Sequence, residues 1–436
     1  MNTAGDKFKK ALDFHRQNNV GKALGIYLDL FKNDDRNLNL LYLIGTSYIQ
    51  LNKHNLAVNF LEKSLKINNK HIPSLNNLGG IYFQLNRYED SLEIFSKLLI
   101  LEPNNKNAKN NIANCYAGLK KYKNALKIYK NLIKDNANDF ITYNNLGNIY
   151  RNLNNNDKAI ENYKKSIEIN KNYILAYNNL GELLSKLNLL KESLKMYEKV
   201  SLINSNYKDV FSKILHTKQK LCDWVGYEDL RIKTIKNIEN INPFILLSIV
   251  DDPVLQKNCS QNFVKEKFKN RIPKINFKDR NSKPKIAYFS SDFKNHPILH
   301  LSLDIFKNHN KSKFDIYGFS LSKNEKDEWN KDIEKYFTKY FNVHDKSDLE
   351  IAILSKEIGI DIAVDLNGFT DKNKQGIFFN RAAPIQINFL GYPGTMGADF
   401  YDFIIADEVI IPKNKKKNYS EKIIYQKNCY QPNINK

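Results

Sequence analysis

Cysteine is scarce: Cys115, Cys222, Cys259 and Cys429 are the four in 436 residues, far apart, with no CxxC pair and no histidine at zinc-ligand spacing. That excludes a disulfide framework and a zinc ribbon, and predicts free thiols in a reducing compartment. Long apolar runs are missing too. The longest, FILLSIV (Phe244–Val250), is far too short to span a bilayer, and the opening MNTAGDKFKKALDF has no apolar stretch of the kind a secretory signal needs. The expectation is a soluble cytoplasmic protein with no membrane partner. There is no arginine-rich block either. The formal net charge of +21 is spread as single lysines among many asparagines, with no RNA- or DNA-binding motif, so codon bias explains it better than a nucleic-acid partner does.

What is present is organised in two textures. At 42% hydrophobic and 26% charged the chain reads as globular, with length for two or three domains. The segments NNLGGIYFQL, NNIANCYAGL, NNLGNIYRNL and NNLGELLSKL recur with a period of 34 residues. Anchor aliphatics Ile44, Leu78, Ile112, Leu146 and Leu180 are each followed by glycine or alanine. Further on, small residues (Ala57, Ser91, Ala125, Ala159, Ser193) precede large ones (Leu61, Phe95, Tyr129, Tyr163, Tyr197) by four positions. Period and pattern match the tetratricopeptide repeat, a helix-turn-helix unit whose hairpins bury their apolar faces only by stacking. Six repeats over residues 1–207, the first degenerate, predict a right-handed superhelix with a concave face made by the first helix of each hairpin. Asn77, Asn111, Asn145 and Asn179 recur at one position of that helix. Each amide offers a donor and an acceptor, so the column predicts a clamp for an extended peptide backbone.

Residues 208–284 read as a helical adaptor that ends in a linker, RIPKINFKDRNSKPK. From Lys285 to Lys436 the texture becomes α/β: KIAYFSS, FDIYGFSL, IDIAVDL, PIQINFLG and DFIIADEV read as strands, and LHLSLDIFKNH, EWNKDIEKYF and LEIAILSKEIG as helices. Such alternation predicts a parallel sheet with ligands beyond the carboxyl ends of its strands. Three loops fall at that edge: SSDFKNHP, DLNGFTD and LGYPGTMG. The last has three glycines and a proline and can present backbone N–H groups to a polar ligand, although it is neither a GxGxxG nor a GK[ST] phosphate loop.

A repeat array followed by CDW, SSDFKNHP, DLNGFT, RAAPIQINFLGYPGTMG, YSEKIIY and CYQPN resembles the protein O-GlcNAc transferase family, in particular its bacterial members. The resemblance implies one Rossmann-like lobe of a GT-B glycosyltransferase behind the superhelix. It implies transfer of N-acetylglucosamine from a nucleotide-sugar donor, UDP-GlcNAc, to Ser or Thr of acceptor proteins, with inversion and without a metal or other cofactor. His296 matches the family histidine once proposed as base and placed beside the sugar; Asp292 matches an aspartate near the acceptor. Leu390 and Gly391 match the backbone strip that touches the sugar, with Tyr392, Pro393, Gly394 and Thr395 in the same loop and Asp365 at the same mouth. Lys294 and Ile298 depart from the glycine and threonine of the animal enzymes, and a plant branch uses GDP-fucose, so the donor stays open between the two sugars. The match implies a second, nucleotide-binding lobe that the lobe from Lys285 to Lys436 would need in order to act. The alternative is a non-catalytic repeat protein that binds peptides or partner proteins.

Overall fold

The computed structural model describes residues 3–238, 241–268, 283–323, 327–370 and 373–432. The expected linker, as far as residue 282, lies outside them, as do Asp371 and Asn433 of the quoted motifs. The chain divides into two compact units, Met1–Ser205 and Asn206–Lys436.

The first unit is built of helical hairpins: α1 (Ala4–Arg16) with α2 (Val20–Phe31), α3 (Leu38–Gln50) with α4 (His54–Ile67), and α5 (Ile72–Gln84) with α6 (Tyr88–Leu101). They continue with α7 (Lys106–Gly118) and α8 (Tyr122–Asp135), α9 (Phe140–Asn152) and α10 (Asn156–Ile169), and α11 (Ile174–Lys186) and α12 (Leu190–Ile203). Within each hairpin the small residue after the anchor lies under the large residue of the second helix. A Cβ on Gly147 would come within 2.5 Å of the Tyr163 ring, so the close approach of α9 and α10 depends on that glycine. Tyr129 and Tyr163 are fully buried, and their hydroxyls donate to Asn114 and Asn148.

Asparagine also shapes the turns. Asn18, Asn52, Asn86, Lys120, Asn154 and Asn188 recur at the 34-residue period with φ between 56° and 61°. The next residue's N–H returns to the helix five positions back, as in Lys53 to Tyr48 O and Arg87 to Tyr82 O, both 2.8 Å. This is the left-handed end of a helix, a conformation that asparagine adopts more readily than most side chains. Part of the asparagine enrichment that composition alone ascribes to codon bias therefore has a local structural cause.

The second unit opens with α13 (Val210–Lys220), α14 (Tyr227–Lys236), α15 (Pro243–Leu247) and α16 (Pro253–Lys267). The α/β part follows as β1 (Lys285–Ser290), α17 (Pro297–Asn308), β2 (Asp315–Ser320), β3 (Lys339–Asn342), α18 (Asp348–Ile358) and β4 (Ile362–Asp365). It continues with α19 (Gly376–Phe379), β5 (Ile385–Phe389), β6 (Phe403–Ala406) and β7 (Lys422–Tyr425). All pairings are parallel and the strand order is β3-β2-β1-β4-β5-β6-β7. Side chains alternate about the sheet: Ala287 and Phe289 enter one core with Phe319 and Ala363, while Tyr288 enters the other with Leu299 and Phe306.

Two differences from the sequence pattern have clear causes. EWNKDIEKYF (Glu328–Phe337) reads as helical, yet only Ile333–Tyr336 forms a 3₁₀ turn, and the chain passes from Phe337 through Thr338 into the edge strand β3, paired with β2. Phe337, close to this strand, is buried in the α17-side core, and tertiary packing there overrides local helical periodicity. The helix α16, within the segment read as adaptor, packs on the sheet's opposite core: Phe263 meets Phe369 edge-on at 5.3 Å, and Phe268 stacks on Phe379 at 4.9 Å. A Cβ on Gly397 would lie 2.6 Å from the Gln261 amide nitrogen, so the glycine-rich loop is seated directly on α16.

Candidate functional site

In this strand order the chain leaves β1 toward β2 on one side and returns to β4 on the other. The gap between β1 and β4 is thus the switch point of the sheet, where ligands of such folds sit beyond the strand ends. The loops after β1, β4 and β5 converge there.

The first two loops are joined by side-chain hydrogen bonds. Asn367 Oδ1 accepts the Ser291 N–H at 2.8 Å, and its Nδ2 donates to Asp292 Oδ2 at 2.7 Å and to Ser291 Oγ at 2.9 Å. Ser291 Oγ adds a second donor to Asp292 Oδ2 at 3.1 Å, and Lys294 Nζ stands 4.0 Å from Oδ1. Asp292 is 8% exposed and Asn367 1%, so the carboxylate is fixed rather than mobile, with one edge open. Asp365 is buried beneath them. Its Oδ1 accepts the N–H groups of Asn367 and Gly368 at 2.9 and 3.1 Å, and Oδ2 accepts the Tyr401 hydroxyl at 2.5 Å. Burial pushes the Asp365 carboxyl above the usual range, and the three donors only partly offset that. Asp365 shapes the loop from below, with its side chain turned into the protein.

His296 occupies the N-cap of α17, ahead of Pro297 at the first helical position. Its Nδ1 accepts the Ile298 N–H at 3.3 Å. A backbone N–H can only donate, so the neutral ring must carry its proton on Nε2. The open nitrogen of His296 is then a hydrogen-bond donor, suited to an oxygen of a ligand rather than to removing a proton from it. His300 follows one turn later, and its N–H donates to the His296 carbonyl at 3.1 Å.

The LGYPGTMG loop divides between backbone and side-chain roles. Leu390 sits at φ 73°, and a Cβ on Gly391 would lie 2.2 Å from the Leu366 carbonyl oxygen, so the strip after β5 lies against the loop after β4. Tyr392 is 1% exposed and meets Phe369 edge-on at 5.0 Å. Gly394 lies under its hydroxyl: a Cβ there would be 2.7 Å from it. Thr395 donates to Glu421 Oε2 at 2.7 Å, and the Met396 N–H donates to Oε1 at 2.6 Å. Burial raises the Glu421 carboxyl, as it does Asp365. The side chains of Tyr392 and Thr395 are therefore turned inward, while Pro393 is half-buried and its carbonyl accepts the Tyr419 hydroxyl at 3.3 Å. A ligand at this loop would meet its backbone near Leu390 and Gly391. Glu421 and Tyr401, which hold the loops from beneath, are not evident from sequence pattern, since their partners lie 26 and 36 residues away.

In the array, the first helices of successive hairpins touch in the row α3, α5, α7, α9, α11. Asn77 donates to Thr46 Oγ1 at 2.9 Å, Asn145 to Asn110 Oδ1 at 3.0 Å and Asn179 to Asn144 Oδ1 at 2.9 Å. Asn111 holds the same place on α7, and all four are half-buried. The column thus braces neighbouring repeats and keeps part of each amide accessible. Among the described residues no group of three or more His, Cys, Asp or Glu side chains is arranged to hold a metal ion. No described helix is long and apolar enough to cross a membrane.

Comparison with known proteins bears on both units. Residues 260–432 match glycosyl transferase family 41, and tetratricopeptide repeats match over residues 82–147, 147–188 and 174–207. An Arabidopsis thaliana protein, probable UDP-N-acetylglucosamine--peptide N-acetylglucosaminyltransferase SEC, is 30% identical over 242 residues, 50% of this chain and 24% of that protein. The Caenorhabditis elegans UDP-N-acetylglucosamine--peptide N-acetylglucosaminyltransferase is 34% identical over 151 residues, 34% of this chain and 13% of that protein. The chain thus spans a quarter or less of these relatives. Among solved structures, a mutant of the Thermobaculum terrenum O-GlcNAc transferase aligns over 83% of this chain and 58% of its own, at 15% identity and a TM-score of 0.46. The start of the match at residue 260, inside α16, agrees with the packing of that helix on the sheet. The chain thus carries a tetratricopeptide array followed by an α/β lobe that is similar to glycosyl transferase family 41 over residues 260–432.

Proposed function

We propose that the α/β lobe forms one wall of a protein O-GlcNAc transferase site, at which N-acetylglucosamine passes from UDP-GlcNAc to a Ser or Thr hydroxyl. The observation that carries this reading is the gathering of Asp292, Asn367 and His296 at the switch point, with the Leu390–Gly391 strip on the adjoining strand. In this role His296 donates from Nε2 to an oxygen of the sugar, Asp292 orients the acceptor hydroxyl, and the proton that the hydroxyl loses is taken up by an oxygen of the departing diphosphate, directly or through water. Departure of a nucleoside diphosphate needs positive charge opposite the reacting carbon. Lys294 at this edge already faces Asp292, so the diphosphate falls to a second lobe facing this one, and no metal is invoked. The asparagine row binds the backbone of the acceptor polypeptide.

Calorimetric titration with UDP-GlcNAc and GDP-fucose tests the donor, followed by transfer of labelled sugar to a serine peptide with a nucleotide-binding lobe supplied. The reading predicts binding and transfer with UDP-GlcNAc. Transfer from GDP-fucose alone would overturn the donor assignment, and transfer from neither would leave the peptide-binding array as the function.

A further inference from the structure

The segment after β2 reaches the same strand edge and is fastened to it. Asp327 Oδ2 accepts the Asn295 N–H at 2.6 Å, while Oδ1 accepts the N–H groups of Trp329 and Asn330 at 2.8 and 2.9 Å. Asn330 closes the turn, accepting the Asp327 N–H at 2.8 Å and donating Nδ2 to the Phe293 carbonyl at 3.0 Å. Two of these bonds run to the SSDFKNHP loop, so the turn that carries Trp329 is tied to the loop that carries His296.

Trp329 then stacks on His300, ring centroids 3.8 Å apart at 35°. His300 Nε2 is buried and finds no hydrogen-bond partner among the described residues, and stacking on the indole is one contact that holds its ring. The indole nevertheless remains 38% exposed. His300 lies one helical turn, about 5.4 Å of rise, beyond His296. In the sheet, β2 lies on the opposite side of β1 from β4 and β5. Trp329 and the Leu390–Gly391 strip therefore flank His296 on opposite sides. An extended chain rises about 3.3 Å per residue, so a residue one or two positions from a hydroxyl held at His296 would reach the indole. A rigid, propped and partly exposed tryptophan is suited to receiving a flat apolar group.

We propose that Trp329, propped by His300, is an acceptor subsite that receives a proline or aliphatic residue one or two positions from the modified Ser or Thr. This rests on the glycosyl-transfer reading of the same edge and names the part of the acceptor that the edge selects.

The chain has two tryptophans, so Trp224→Phe leaves Trp329 as the sole indole reporter. In that background, a short serine peptide with a nearby proline should shift Trp329 emission saturably, and the glycine counterpart should bind roughly three- to tenfold more weakly. No emission change, an equal response to the glycine peptide, or a response to free GlcNAc alone would overturn the subsite. In transfer assays with the second lobe supplied, Trp329→Ala should raise the peptide KM by the same factor and leave the donor KM unchanged, while Trp329→Phe retains most of the affinity. Thermal melts of both variants check that they fold. Emission that responds without transfer would sink the transferase reading and keep the subsite. Transfer with an unchanged peptide KM in Trp329→Ala would do the reverse.

Discussion

Asn367 Nδ2 donates to the Asp292 carboxylate at 2.7 Å, and this bond joins the loops after β4 and β1 across the switch point of the sheet. The same amide accepts the Ser291 N–H, so one side chain sets both the backbone and the carboxylate of the neighbouring loop. The acceptor side of the proposed site is therefore built before any ligand arrives.

Replacing Asn367 with Ala leaves a buried N–H and a largely buried carboxylate without that partner. The expected cost is about 1–3 kcal/mol in denaturant unfolding, together with reduced transfer. Asn367→Asp should be worse at neutral pH than in acid, because two carboxylates would then face each other. A variant with wild-type stability at both pH values would remove Asn367 from this role.

Asp365 supplies the pH test. Its carboxyl is raised in the fold by burial, so its contribution is fully present below the unfolded value, near 3.9, and is lost as pH rises through the folded value. Asp365→Asn keeps an acceptor for the two loop N–H groups and removes the titration. The variant should show a flatter fall in stability above pH 4 than the wild-type chain. Equal slopes in urea titrations across pH 4 to 8 would contradict the assignment.

Gly391 and Gly80 should respond oppositely to alanine. A Cβ at position 391 would sit 2.2 Å from the Leu366 carbonyl oxygen, whereas at position 80, inside α5, nothing lies within 4 Å. Gly391→Ala should destabilise by about 1–3 kcal/mol and displace the sugar strip. Gly80→Ala should stabilise by about 0.8–1 kcal/mol through helix propensity. Paired melts of the two variants check both signs.

Lys120 stands at φ 58° where the other five repeats have asparagine. Lys120→Asn should stabilise the array by about 0.5–1 kcal/mol, since the αL region penalises a long side chain more than asparagine. A fall in the melting temperature would refute this account of the turns.

Much of this was legible in the sequence, for identifiable reasons. The repeat declares itself because Gly147 and Tyr163, or Asn154 and the turn it ends, recur at a fixed period. The strand-edge loops are legible because apolar runs alternate with helices and end in Ser290, Asp365 and Phe389. Contacts over long separations were not. Nothing local marks Phe263 as a partner of Phe369, Tyr401 as a donor to Asp365, or Trp329 as the ring against His300. Nor does a motif reveal that Tyr392 and Thr395 face inward, or that the N-cap bond to Ile298 fixes the tautomer of His296.

The most direct test of the central claim is the rate of GlcNAc transfer from UDP-GlcNAc to a serine peptide by the wild-type chain and by His296→Ala, each with the nucleotide-binding lobe supplied. Loss of one positioned donor should lower the rate by about 100-fold or more, with the fold intact by circular dichroism. Equal rates for the two proteins would contradict the placement of the active site at the switch point between β1 and β4.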